Sequence, residues 1–345
     1  FAFIIMDSLT QIILGAACGE AILGKKIGNK ALLFGAIGGT IPDLDVFIGR
    51  VLYTNEIDIM LFHRGFMHSI LFSILAAFLL GWLCYKFYNS GKRFGTTTKS
   101  DWVKLYFWSL FTHSILDSFT PYGTQLFAPF FNYRFAFNTI AVADPLYTLP
   151  FLICVVVLMF YNRNTPKRML WLRLGLGISS VYMLFTIANK LYIDAVFKTS
   201  LAEKHIKYLR FTSQPSILNN VLWYGVAETE NTYEVGYYSL LDKKNQFSDW
   251  QSIPKQRHLK KSDYVDIIDL AWFSNDFYNV EKMDNESFLY NDLRYPLTET
   301  KSGYQSVFSL TLYKENERLN MKPFQPKVDD FNSAFSKLWN RLKGK

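Results

Sequence analysis

Eight side chains in the first half of the chain have the types and spacing of a metal-assisted acid–base site. They are Asp43 and Asp45 in GGTIPDLD, His63, Arg64 and His68 in HRGFMHS, His113 and Asp117 in THSILDSFTPYG, and Asp144 ahead of Pro145. His113 and Asp117 stand four residues apart and so share a helical face. Carboxylates and imidazoles without cysteine form a mixed nitrogen and oxygen ligand set, which suits Zn²⁺, with Mn²⁺ or Fe next, and suits Cu(I) or an iron–sulfur cluster poorly. One or two such ions, a pair being linked by a bridging carboxylate, lower the pKa of water and clamp an ester or phosphoryl oxygen. The three cysteines, Cys18, Cys84 and Cys154, lie in apolar stretches with no CxxC pair, which excludes a thiolate cage and argues against a disulfide framework.

The same residues also have structural readings. A His113–Asp117 hydrogen bond could tie two helices together, and Asp43 and Asp45 could cap a helix or pair with Arg64 and Arg50. Asp144 before Pro145 is a common helix N-terminal arrangement, and Asp7 with Thr10 fits a capping pattern. His63 lies five residues before His68, too far round a helix to share its face, and so reads either as a ligand or as an acid or base on the loop. Arg64 is placed to hold an anionic substrate group or to pair with Glu56 or Asp58. Glu20 reads as a packing or interfacial residue, and His205 and His258 as surface histidines.

The elements that position these groups belong in a membrane. Of 345 residues, half are hydrophobic and only 19% charged, which excludes a disordered chain and sits too apolar for an ordinary soluble enzyme. Six segments, near 7–24, 31–49, 66–87, 102–121, 144–161 and 170–192, are long and apolar enough to cross or enter a bilayer. Lys and Arg collect after segments one, three and five, whereas the alternate connections hold only Arg50, Arg64 and Arg134. The positive-inside rule therefore makes the first set cytoplasmic and puts the C-terminal part outside. The net charge of +8 follows from this asymmetry, so nucleic acid is not an expected partner. Met6-Asp7 reads as the natural start, without a cleavable signal peptide ahead of it.

Beyond residue 197 the pattern changes. Alternating runs such as VLWYGVAE, TYEVGYYSLL and YQSVFSLTLY, separated by turn residues, predict an antiparallel sheet. The end, DDFNSAFSKLWNRLKGK, predicts an amphipathic helix capped by Asp329 or Asp330, with Phe331, Phe335 and Leu338 on one face. The expected architecture is thus an α-helical polytopic membrane domain over 6–197 and a β-rich (α+β) extracytoplasmic domain over 198–345.

A charged group at the bilayer centre costs about 2.5 to 3.5 kcal/mol on insertion scales, yet here such groups cluster. In the orientation above, the end of segment two, the start of three, the end of four and the start of five all face the outer side. The ordered motifs MDSLTQxxLGAACGE, GxxGGTIPDLD, HRGxxHS, HSxLDxFTxYGTQLFxPF and DPLYTLP resemble the YdjM-like family of inner-membrane proteins, considered metal-dependent hydrolases on their His/Asp pattern. The resemblance covers about residues 6–195 and implies metal positions at Asp43, Asp45, His63, His68, His113 and Asp117. It also implies a multi-pass protein of the bacterial cytoplasmic membrane. Many relatives carry His where this chain has Gln11, a poor ligand, which makes position 11 an outer contact or changes how one metal is bound. The expected function is hydrolysis of an ester or phosphodiester in a lipid or lipid-linked substrate. In that reading His63 protonates the leaving group, Arg64 holds the anion, Asp144 assists, and Tyr122 and Thr124 hydrogen-bond the same oxygen. Aromatic residues around Leu126–Phe137 suit a lipid-facing lip. The alternative of another class is a transporter or metal-binding accessory protein built on the same cluster.

Overall fold

A computed structural model of the chain describes residues 2–283, 286–300, 303–324 and 331–344. They divide into two compact units. The first takes in residues up to Val51 together with Phe62–Ile187, and the second combines Leu52–Leu61 with residues from Ala188 on.

The first unit is helical. Its chain runs through α1 (Ala2–Ile27), α2 (Asn29–Thr40), α3 (Asp45–Leu52), α4 (Glu56–Phe62), α5 (Ile70–Tyr88), α6 (Lys99–Ser118), α7 (Pro145–Met159) and the first part of α8 (Pro166–Glu203), α4 itself belonging almost wholly to the second unit. Asp7 lies inside α1 and does not begin it. Small residues set the closest packing. Gly15 and Gly19 of α1 meet Gly35 and Gly39 of α2 so closely that a Cβ at any of the four would strike opposing backbone. Small residues spaced four apart permit this kind of approach between membrane helices. Gly28, at φ 61°, makes the reversal between the two.

Apolar side chains fill the space on either side of this pair. Ile13, Ala17, Leu32, Leu116, Phe151 and Leu158 form one cluster, and Leu23, Ala31, Ala77, Trp102, Leu105 and Leu110 another. α6 begins with a capping box between Thr98 and Asp101, and Lys26 closes on Asp101 at 2.6 Å. A buried ion pair lies at the far end of α1, where Arg168 forks onto Glu20 at 2.7 and 2.6 Å and donates to Asn29 Oδ1 at 2.7 Å. Glu20 is therefore an anchor joining α1 to α8.

All six expected membrane segments are helical, but they differ in fitness to span. By length and apolarity α5 and α8 qualify, and a third span arises if α2 and Pro42–Leu52, bent by 44°, count as one broken crossing. α7 is apolar but has 15 residues. α1 and α6 are long enough, with 26 and 20 residues, but their polar groups dilute their hydropathy.

The second unit is β-rich. β1 (Arg210–Pro215), β2 (Leu222–Glu228), β3 (Thr232–Ser239) and β4 (Ser248–Pro254) form an antiparallel meander, followed by α9 (Val265–Phe273). The strands β5 (Tyr278–Lys282), β6 (Phe288–Asp292), β7 (Leu297–Thr300), β8 (Gly303–Ser306), β9 (Ser309–Glu315) and β10 (Arg318–Phe324) follow, and the last element is α10 (Phe331–Leu342). A second sheet has the order β10-β9-β6-β5, and β7 pairs with β8 as a hairpin. The run YQSVFSLTLY is thus two strands in two sheets, because the chain changes partner at Val307-Phe308. One face of β2 and β3 packs Trp223, Ala227 and Tyr238 under Ile193, Phe197 and Leu201 of α8, and the other buries Tyr224, Val226, Tyr233 and Val235 against Phe277 and Leu293. The expected cap at Asp329 or Asp330 lies outside the described residues, as do the side chains of Phe331 and Phe335. Leu338 and Trp339 are exposed.

Candidate metal centre

The site begins where α2 ends. Pro42 cannot continue the helical hydrogen bonding, and the chain turns through Pro42–Leu44, leaving Asp43 25% exposed on a rim and burying Asp45 at the start of α3. The next contribution comes after α4. Arg64 adopts a left-handed φ of 58°, a conformation costing about 1–3 kcal/mol outside glycine. Its N–H donates to Asp45 Oδ2 at 2.9 Å and its carbonyl accepts from Gln125 at 3.0 Å, which fixes the turn. His68 follows in the turn Phe66–His68, and Ser69 caps α5 by accepting the Phe72 N–H at 3.0 Å. His113 and Asp117 come from one face of α6, both 1% exposed.

Four donor atoms converge. The Nε2 atoms of His68 and His113 are 3.2 Å apart. Asp43 Oδ1 lies 3.4 and 3.5 Å from them, and Asp117 Oδ2 lies 3.3 and 3.4 Å from them. A tetrahedral ion with bonds of about 2.0–2.1 Å holds its ligands about 3.3–3.4 Å apart, the spacing seen in these five separations. Asp117 Oδ2 is fully buried yet accepts no well-aligned hydrogen bond, an arrangement that a cation would satisfy. The donor set therefore fits a metal ion, and among the described residues this is one group of its kind.

Partners behind each donor fix its orientation, as outer contacts do in metal sites. His113 Nδ1 is 2.7 Å from the Gly39 carbonyl, which can only accept, so Nδ1 carries the proton and Nε2 presents its lone pair. Gly38, where an added Cβ would strike Ser109 of α6, lets α2 and α6 come close enough to bring that carbonyl within reach. His68 Nδ1 lies 3.1 Å from Asp45 Oδ2. Gln11 Nε2 donates to Asp117 Oδ1 at 2.7 Å and to the His113 carbonyl at 3.3 Å, so position 11 is an outer contact in this chain.

The expected ligand set of six is thus divided. Asp43, His68, His113 and Asp117 come together, whereas Asp45 and His63 stand one layer out. Asp45 accepts from His63 Nδ1 at 2.8 Å and from the Arg64 N–H, and faces His68 with its second oxygen, so it does not bridge two ions. His63 keeps a 25% exposed ring, and burial pushes its pKa below the ordinary value against the pull of Asp45. Arg64 is buried with Nε 3.2 Å from Asp117 Oδ2 and NH1 donating to Thr120 at 2.8 Å. Its carboxylate partner is Asp117; Asp58 instead pairs with Arg318.

Asp144 is set apart from the four donors. It caps α7 by accepting the Leu146 N–H at 2.9 Å and also accepts the Tyr182 hydroxyl at 2.8 Å. The Tyr122 ring lies 5.2 and 5.1 Å from the guanidinium groups of Arg64 and Arg134, and 5.4 Å from the His63 ring. Thr124 is fully buried and pairs through its backbone with Phe135. Phe127, Phe130, Phe131, Tyr133 and Phe137 are exposed, as a lip would be, and His205 and His258 lie on the surface of the second unit. Arg134, whose NH2 donates to the His63 carbonyl at 2.7 Å, had no signal in the sequence beyond being basic in a sparsely charged loop.

No curated protein and no solved structure matches the chain. The model of one family, described as YdjM inner membrane protein, matches residues 6–193, more than half of the sequence and all of the residues that build the site. By that match, the chain belongs to the YdjM inner membrane protein family.

Proposed function

We propose that this protein is a membrane-bound, metal-dependent hydrolase that cleaves an ester or phosphodiester bond in a lipid or lipid-linked substrate at the outer leaflet. The observation that carries this reading is the tetrahedral spacing of His68, His113, Asp43 and Asp117 beside a partly exposed histidine. Zinc is the preferred ion, and when bound it supplies Lewis acidity toward a phosphoryl or acyl oxygen and toward water. His63, held through Nδ1 by Asp45, keeps Nε2 to take a proton from the attacking water and then pass it to the leaving group. Arg64 neutralises Asp117 and keeps its Oδ2 aligned, and the exposed aromatic residues from Phe127 to Phe137 give acyl chains an apolar approach.

The outer side is argued from the positive-inside asymmetry of the loops. Leu52–Leu61 and the chain from Ala188 on share one core, which agrees with an even number of crossings between them, four in the six-span reading.

A metal-binding accessory role has one observation in its favour: four protein donors saturate a tetrahedral ion, as in structural zinc sites. Asp43 discriminates between the readings, because it is the one donor with an exposed edge. The test is hydrolysis of a panel of phospholipids and lipid-linked phosphates by zinc-loaded protein, with Asp43→Ala and His63→Ala beside the wild type. Turnover that is lost in His63→Ala while zinc is retained supports the hydrolase. No cleavage by metal-replete wild type leaves the accessory role.

A further inference from the structure

We propose that Leu52–Leu61 is a tether through which the second unit sets the spacing of the metal donors, a reading that rests on the metal centre proposed above. The segment follows α3, whose first residue is Asp45, and returns to the first unit at Phe62, one residue before His63. Between those points it is gripped by groups of the second unit. Asn55 Nδ2 donates to the Leu319 carbonyl at 2.8 Å, and the Glu56 N–H donates to Asn320 Oδ1 at 2.9 Å. Arg318 forks onto Asp58 at 2.8 and 2.9 Å while donating to Asp266 at 2.6 Å. Ile57 is fully buried among Leu270, Tyr278, Leu312 and Leu319.

These contacts pin the middle of a single excursion of the chain. From Ile57 it is 12 residues back to Asp45 and 11 forward to His68. The two arms meet again at Asp45, whose carboxylate accepts from His63 and from the Arg64 N–H and faces His68. Fixing the apex of a closed loop removes conformational freedom from both arms, and so from the base where they meet, by chain connectivity alone. Arg318 and Asp58 are therefore positioning residues for His63 and His68, although neither belongs to the site.

The test uses full-length protein in detergent and two kinds of variant. Inserting Gly-Gly-Ser at the non-helical Tyr53–Thr54 peptide slackens one arm and leaves the grip intact, whereas Asp58→Asn weakens the grip itself. Zinc affinity is read by chelator competition, and histidine nitrogen resonances are read by NMR on zinc-free protein. Both variants are expected to weaken zinc by roughly tenfold, the size typical of disturbed outer contacts. Both should shift the His63 and His68 resonances while leaving His205 and His258 in place, and Asp58→Glu should restore the wild-type values. Unmoved His63 and His68 resonances in both variants overturn the tether. Resonances that move in a protein that binds no zinc uphold the tether and remove the metal reading alone.

Discussion

Replacing His113 with Ala tests the site most directly, because this side chain contributes one of four converging donors and is 1% exposed. Structural zinc sites release about 10–16 kcal/mol on binding. Shared over four donors, that is about 2.5–4 kcal/mol each, or roughly two to three orders of magnitude in affinity. The vacated position is buried and Asp43 is the one donor of the four with an exposed edge, so water recovers little of the loss. For Asp43→Ala the loss should be smaller, since its 25% exposed edge already lets solvent take its place. The assay is zinc titration of stripped, full-length protein against a competing chelator, with helix content followed by circular dichroism. Zinc affinity of His113→Ala within threefold of wild type, with helix content preserved, would refute the four-donor assignment. Loss of helix content with no zinc bound by wild type would make the cluster a structural network.

Gln11→Ala should weaken zinc by about 10- to 100-fold by releasing Asp117 Oδ1, whereas Thr10→Ala, which removes a hydroxyl pair with Thr148, should leave zinc affinity unchanged in the same titration. Glu20→Ala leaves Arg168 buried without its carboxylate and should cost about 3–5 kcal/mol in detergent unfolding, with zinc affinity of the folded fraction preserved. In the second unit, burial raises the pKa of Glu228, but hydrogen bonds from Lys255 and Arg210 outweigh it and hold the carboxylate below its usual range. A depressed carboxylate stabilises the fold above its unfolded pKa, about 4.3, and this contribution fades as pH falls through the lower folded value. Acidification from about pH 5 to 3 should therefore lower the thermal midpoint of wild type more than that of Glu228→Gln, and equal slopes would remove Glu228 from the acid response.

The site was legible in the sequence wherever residue type and short spacing carried the information. His113 and Asp117 declare themselves by i,i+4 spacing, and Pro42 announces the break that exposes Asp43. What spacing could not convey was the layer in which each group stands. Asp45 and Asp43 are two residues apart and chemically identical, and only the turn after Pro42 sends one to the converging donors and the other behind His68. The sequence likewise gives no hint that Gly39 supplies its carbonyl to His113, because that contact depends on helix separation. The β-rich second half was visible in its alternation, but the contribution of Leu52–Leu61 to its core was not. Ile57 reads as one more apolar residue in a loop until Leu319 and Tyr278 are seen around it.

That discontinuous core also bears on how the chain is made. The residues clustered with Ile57 and the partner of Asp58 are supplied as late as Arg318, Leu319 and Met321, about 260 positions after Leu61. At about 5–20 residues per second this is roughly 13 to 50 s of synthesis. Throughout that interval Asn55, Ile57 and Asp58 wait without their eventual neighbours while the helices between are threaded into the bilayer. In the tether reading, the His and Asp groups on either side of them gain this support only once the last strand has been translated, so completion of β10 times the final tightening of the proposed site.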